Sequence, residues 1–106
     1  MTIAQLHDDA MLMFDNAVVL DRQAKEKFRT AHVLERRAAE RLEPVMESEP
    51  TRSILFRSAA SMAFRAGDNT SARAMIEKGL TPFTPPEIRA EMDDLLLAIN
   101  SCGTQL

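Results

Sequence analysis

The groups in this 106-residue chain best suited to metal binding or nucleophilic catalysis are two histidines, one cysteine, a few serines and several carboxylates. His7 stands beside Asp8 and Asp9, and His32 is followed three residues later by Glu35. A dimetal helix bundle draws a Glu-x-x-His pair from each of two helices and adds further inward glutamates. Here one grouping has the reverse order, and the other is a run of neighbours whose side chains diverge. With two histidines and the single distal Cys102, the chain lacks a ligand set for a dedicated transition-metal site, so both histidines are expected at the surface. Ser58 and Ser61 have no histidine nearby in sequence to serve as base, and Cys102 has no electropositive neighbours to favour a thiolate. Asp93 and Asp94 are adjacent, so on a helix they point in different directions. The expectation is a protein that is not an enzyme, with no metal and no cofactor.

The cations carry more information. Ten of the 13 are arginines, whose planar fork suits carboxylates and phosphates. Arg57, Ser61 and Arg65 are spaced by four and share one helix face; the alternative to a ligand role is solvation or pairing with the acidic stretch 43–49. A second strip, Arg29, Arg36, Arg37 and Arg41, suits solubility or pairing with acids of a neighbouring helix. Charge alternates along the chain: −4 over residues 1–21, +4 over 22–41, −3 over 42–51, +3 over 52–86 and −3 over 87–106. The net charge of −3 argues against a nucleic-acid partner, which calls for a basic surface. One cysteine excludes an intramolecular disulfide, which fits a reducing cytoplasmic location. The acidic start at Asp8 and Asp9 is unlike a signal peptide. The longest apolar runs, such as 95–99, are too short to span a bilayer, so no membrane role is expected.

These side chains must be positioned by helices. Ala, Leu and Met dominate the apolar residues, there are three glycines, and Trp and Tyr are absent, a composition that favours helix over strand. Thr2 with Gln5 is a capping-box pattern, and Ile3, Leu6, Ala10, Met13, Ala17 and Leu20 recur at helical spacing. Met11, Phe14 and Val18 thicken that stripe, and the methionines are read as core filling. A turn is expected near 18–21, with Asp21 capping a second helix whose inward face is Ala24, Phe28, Ala31, Leu34, Ala38 and Leu42. The acidic, proline-bearing stretch 43–50 is a connector. A third helix is expected over 51–66 and a fourth over 70–78, closed by Gly79. Pro86 opens a fifth helix with the face Ile88, Met92, Leu95 and Ile99, leaving Leu97 as an uncovered apolar residue. The fold class is all-α, one domain: hairpin one about 3–42, connector 43–50, hairpin two about 51–80, and a capping helix about 86–100.

Residues 53–84 resemble a tetratricopeptide (TPR) helical repeat. Ala66-Gly67-Asp68 is similar to that family's inter-helix turn, and Ala72, Ile76 and Gly79 to the small, bulky and small positions of its second helix. Phe56 stands at the large aromatic position and Ala59-Ala60 at the small one; Ala63 replaces the family's usual Tyr, and Pro82 and Pro85 bracket the closing proline's site at Thr84. Residues 5–36 resemble only a degenerate repeat, through Ala24, Phe28 and Ala31, and are also similar to the hairpin of microtubule-interacting-and-transport domains. The resemblance implies a short α-solenoid of two stacked antiparallel hairpins and a capping helix. It further implies a non-catalytic module that binds a peptide or protein partner, acidic or C-terminal, in a groove on the third helix. Arg57 and Ser61 then match groove positions, with Ile54, Phe64 and Arg65 alongside. The alternative is a structural homodimer that buries its apolar helix faces against a second copy.

Overall fold

The computed structural model describes residues 2–103, with side chains for 2–101; the side chain of Cys102 lies outside them. Thr2 caps the first helix, α1 (Ile3–Glu40). Its hydroxyl accepts the Gln5 N–H at 3.1 Å, and the Gln5 side chain accepts the Thr2 N–H at 2.8 Å, which satisfies two otherwise orphaned donors. From there α1 runs 38 residues without interruption, about 57 Å at the usual rise. It accounts for most of the molecule's 65 Å long axis.

The turn expected at 18–21 is absent. Hairpin one (3–42) is a single helix, and the described residues form four α-helices rather than five. The physical reason is that Val18-Val19-Leu20-Asp21 contains no glycine or proline, and valine lowers helix propensity by only about 0.5 kcal/mol. Asp21 does not cap; it pairs with Lys25 one turn on at 3.3 Å. The chain leaves α1 just before Pro44 and makes a short 3-10 turn, Met46–Ser48. It then enters α2 (Thr51–Arg65), α3 (Asn69–Gly79) and α4 (Pro86–Gly103).

Contacts between named residues define the topology. Along α1 and α2, Phe28 meets Arg65, His32 meets Ala59, and Leu42 meets Arg52, so the two helices are antiparallel. Between α2 and α3 the chain reverses at Gly67, whose φ of +83° lies where a side chain would be strained. Asp68 caps α3 by accepting the Ser71 hydroxyl at 2.6 Å and the Ser71 N–H at 3.0 Å. Those two bonds, with smaller help from the charges of His32 and Arg29, hold the Asp68 carboxyl below its usual range. Helix α4 crosses back over both, with Arg57 to Glu91 and Arg73 to Asn100 as its polar contacts.

The core lies where α2 is sandwiched. Ala39, Ala59, Ala60, Ala63 and Ala72 are fully buried, letting helices approach closely around Phe56, Ile76, Met92 and Ile99. Ile88, Met92 and Ile99 face this core as the α4 periodicity predicts, and Leu95 packs at its edge. The expected inward face of residues 24–42 is only partly correct. Phe28 is half-buried, but Ala24, Leu34 and Ala38 are exposed, and His32 and Ala39 take the inward positions. His32 is therefore no surface histidine: its Nδ1 lies 3.0 Å from the Ala59 carbonyl, to which it donates.

A second buried polar group locks the connector. Arg52 is 5% exposed, and its guanidinium donates to the carbonyls of Leu42 (3.3 Å), Gly79 (3.3 Å) and Lys78 (3.1 Å). It also sits 4.7 Å from the Phe56 ring centroid. One cation thus ties the end of α1 to the C-terminus of α3, where carbonyls and the helix dipole favour positive charge. Thr84 completes the junction: its hydroxyl donates to Gly79 and accepts from Ser53 and from the Thr81 N–H.

Candidate interaction site

Helix α2 brings Arg57, Ser61 and Arg65 to one face, as their spacing requires. The concavity there, about 270 Å³, is lined by Phe28 together with Arg57, Ser58, Ser61, Met62 and Arg65. Its wall from α1, Phe28, was not foreseen as part of a site, because only tertiary packing places it beside residues about thirty positions later. Ile54 and Phe64 do not line this concavity: Ile54 is exposed at the far end of the helix, and Phe64 packs against the core. Arg65 lies over the Phe28 ring at 5.6 Å, a cation–π contact. Arg57 is 27% exposed and bound to Glu91 at 2.8 Å, so its pairing is with α4 and not with the acidic connector. Of the second arginine strip, Arg36 pairs with Glu40 within α1. The site can do charge-assisted binding of a carboxylate beside an aromatic floor.

A larger feature lies next to it. Every residue from Thr2 to Lys27 is exposed; Phe28 is the first that the body partly covers. This arm projects about 37 Å by helix geometry. It carries Ile3, Leu6, Met11, Leu12, Met13, Phe14, Val18, Val19 and Leu20 at 41–88% exposure. Met11 and Met13 are therefore not core filling, in contrast to Met75 and Met92, which are. The stripe Ile3, Leu6, Ala10, Phe14 and Ala17 lies on the same side of α1 that packs on α2 further along. A depression of about 680 Å³, lined by Gln23, Glu26, Lys27, Thr30, Ala31 and Leu34, follows α1 alone, with no second element closing it.

Leu97 on α4 is exposed, as its position off the apolar stripe predicts. Among the described residues, no group of three His, Cys, Asp or Glu side chains is placed to hold a metal ion, and no helix is long and apolar enough to cross a membrane. No protein-family description, curated protein or solved structure matches the chain.

Proposed function

We propose that this chain is a non-catalytic protein-interaction module in which a helical body carries the α1 arm as a docking element. The observation behind this reading is the uncovered apolar surface of residues 2–27. Monomeric proteins rarely leave contiguous apolar patches beyond a few hundred Å², and covering such surface releases about 25 cal/mol per Å². We read α2, α3 and α4 as a TPR-like unit with its cap. Burial of Phe56, Ala60, Ala72, Ile76 and Gly79 at one junction, and the Gly67-Asp68 turn, support that assignment.

The test compares the wild-type protein with the Met13→Asp/Phe14→Asp variant, whose altered side chains touch none of the body. The wild type is expected to hold a stable partner, a second copy or another protein, that the variant loses at unchanged helix content. A wild-type chain that stays monomeric and captures nothing overturns the reading.

A second reading places an acidic or C-terminal peptide in the Phe28–Arg57–Ser61–Arg65 concavity, favoured by Arg65 being stacked rather than ion-paired. Arg57 can exchange Glu91 for a ligand carboxylate at little expense, since exposed ion pairs contribute about 0.2–1 kcal/mol. Arg65→Glu is expected to weaken acidic-peptide binding at a stability loss of about 1–2 kcal/mol from the Phe28 contact and the last-turn charge of α2; equal affinity in that variant refutes the assignment.

A further inference from the structure

We propose that the arm's occupant is a second copy of this chain, paired antiparallel along the whole of α1 in a two-stranded coil. This rests on the interaction-module reading and names its partner. The seam that supports it has a strict seven-residue period. Ile3, Ala10, Ala17, Ala24, Ala31 and Ala38 form one row, and Leu6, Met13, Leu20, Lys27 and Leu34 the other. A repeat of 3.5 residues per turn is the pattern that lets two helices supercoil around a shared apolar line. Because 3.5 falls short of 3.6, the seam drifts around α1 and leaves the side that α2 covers. Its members are exposed along the full helix except half-buried Ala31, with Leu34 at 59%. The depression lined by Lys27, Ala31 and Leu34 lies on this line.

Row composition and charge set the direction. Alanine at every seventh position lets two helices approach closely if each meets a large side chain across the seam. Antiparallel pairing with full overlap provides this: Ala38, Ala31, Ala24 and Ala10 fall opposite Leu6, Met13, Leu20 and Leu34 of the second copy. Residues 2–21 carry Asp8, Asp9, Asp15 and Asp21 with no cation, whereas 22–41 carry seven cations against Glu26, Glu35 and Glu40. Antiparallel pairing lays acidic half on basic half at both ends, with Asp9 beside Arg37 of the second copy; parallel pairing stacks like on like. Burying a side chain of this size removes on the order of 60–120 Å² from water. The seam with flanking Phe14 therefore buries roughly 1,000 Å² over two copies, the threshold of a specific interface.

The experiment measures mass by light scattering from micromolar to near-millimolar protein, with refractive-index detection because Trp and Tyr are absent. The wild type is expected to double in mass and Leu20→Asp/Leu34→Asp to remain a monomer. Both leucines are exposed in the single chain, so that variant keeps its fold. For direction, Asn16→Cys and Thr30→Cys are each made with Cys102→Ser and treated with a short bismaleimide. Antiparallel pairing cross-links the mixture and neither variant alone, because two copies of Asn16 then lie about 21 Å apart along the coil. A wild-type monomer at every concentration, a dimer indifferent to the seam substitutions, or cross-linking of Asn16→Cys with itself each overturns the proposal. A monomer that still captures another protein through Met13 and Phe14 removes self-pairing alone and leaves the interaction-module reading standing.

Discussion

Replacing Arg52 by methionine keeps a stem of similar reach and removes the guanidinium that joins three carbonyls. Two of its hydrogen bonds are long at 3.3 Å and the third is 3.1 Å, so each is assigned the lower end of the range for charged donors. Gly79 keeps Thr84 as a donor, but the carbonyls of Leu42 and Lys78 lose theirs. Together with the lost charge at the α3 C-terminus, the expected destabilisation is about 3 kcal/mol. For a domain of this size that lowers the melting temperature by about 12 °C. Arg52→Lys keeps the charge but not the fork, and one ammonium reaches fewer carbonyls, so it is expected to recover less than half of the loss. Far-UV circular dichroism is the assay, read at one protein concentration because self-association, wherever it occurs, makes a melting temperature concentration-dependent. A methionine variant that melts within about 3 °C of wild type refutes the view that this cation holds the connector to α3.

Three further outcomes follow from single positions. A Cβ added at Gly79 meets the Phe56 Cβ at 2.6 Å and the Met92 Cε at 3.1 Å; the methionine tip can move, but the Phe56 Cβ is fixed to the α2 backbone. Gly79→Ala is therefore expected to destabilise by about 1–2 kcal/mol in urea titration even after its gain of about 1 kcal/mol in helix propensity, and a more stable variant contradicts the packing. At Gly67 the space is open but φ is +83°, so Gly67→Ala is expected to lose about 1 kcal/mol from backbone strain alone, with Gly67→Asn losing less. Asp68 has a lowered carboxyl pKa in the fold, so its charge stabilises the native state above the ordinary carboxylate range, and that contribution disappears as pH falls below about 4. Asp68→Asn still caps α3; the stability gap between wild type and variant must shrink from pH 6 to pH 3, and a constant gap rules the linkage out.

The candidate concavity was half legible before folding. Arg57, Ser61 and Arg65 share a face because spacing by four on a helix guarantees it, whatever the rest of the chain does. Phe28 as its wall and Glu91 as the partner of Arg57 depend on which helices become neighbours. Ile54 and Phe64 illustrate the same limit, since a family resemblance assigned them to a groove that the packing of α1 and the core places elsewhere.

Local chemistry was enough for the all-α class, the Thr2–Gln5 cap, the Gly67-Asp68 turn, the break at the prolines of 43–50, and the α4 face Ile88, Met92 and Ile99. Each rests on contacts within about four residues or on the conformational limits of glycine and proline. The continuity of α1 was also within reach, since 18–21 holds no glycine or proline and Asp21 can sit inside a helix as well as cap one. Other features needed the assembled helices. His32 and Arg52 are polar residues whose burial depends on carbonyls 27 positions away. Residues 24–42 carry two overlapping apolar patterns, one near 3.6 residues that packs on α2 and one at 3.5 that stays exposed. Periodicity alone cannot rank them, because both are compatible with the same helix and only the position of α2 decides which is covered.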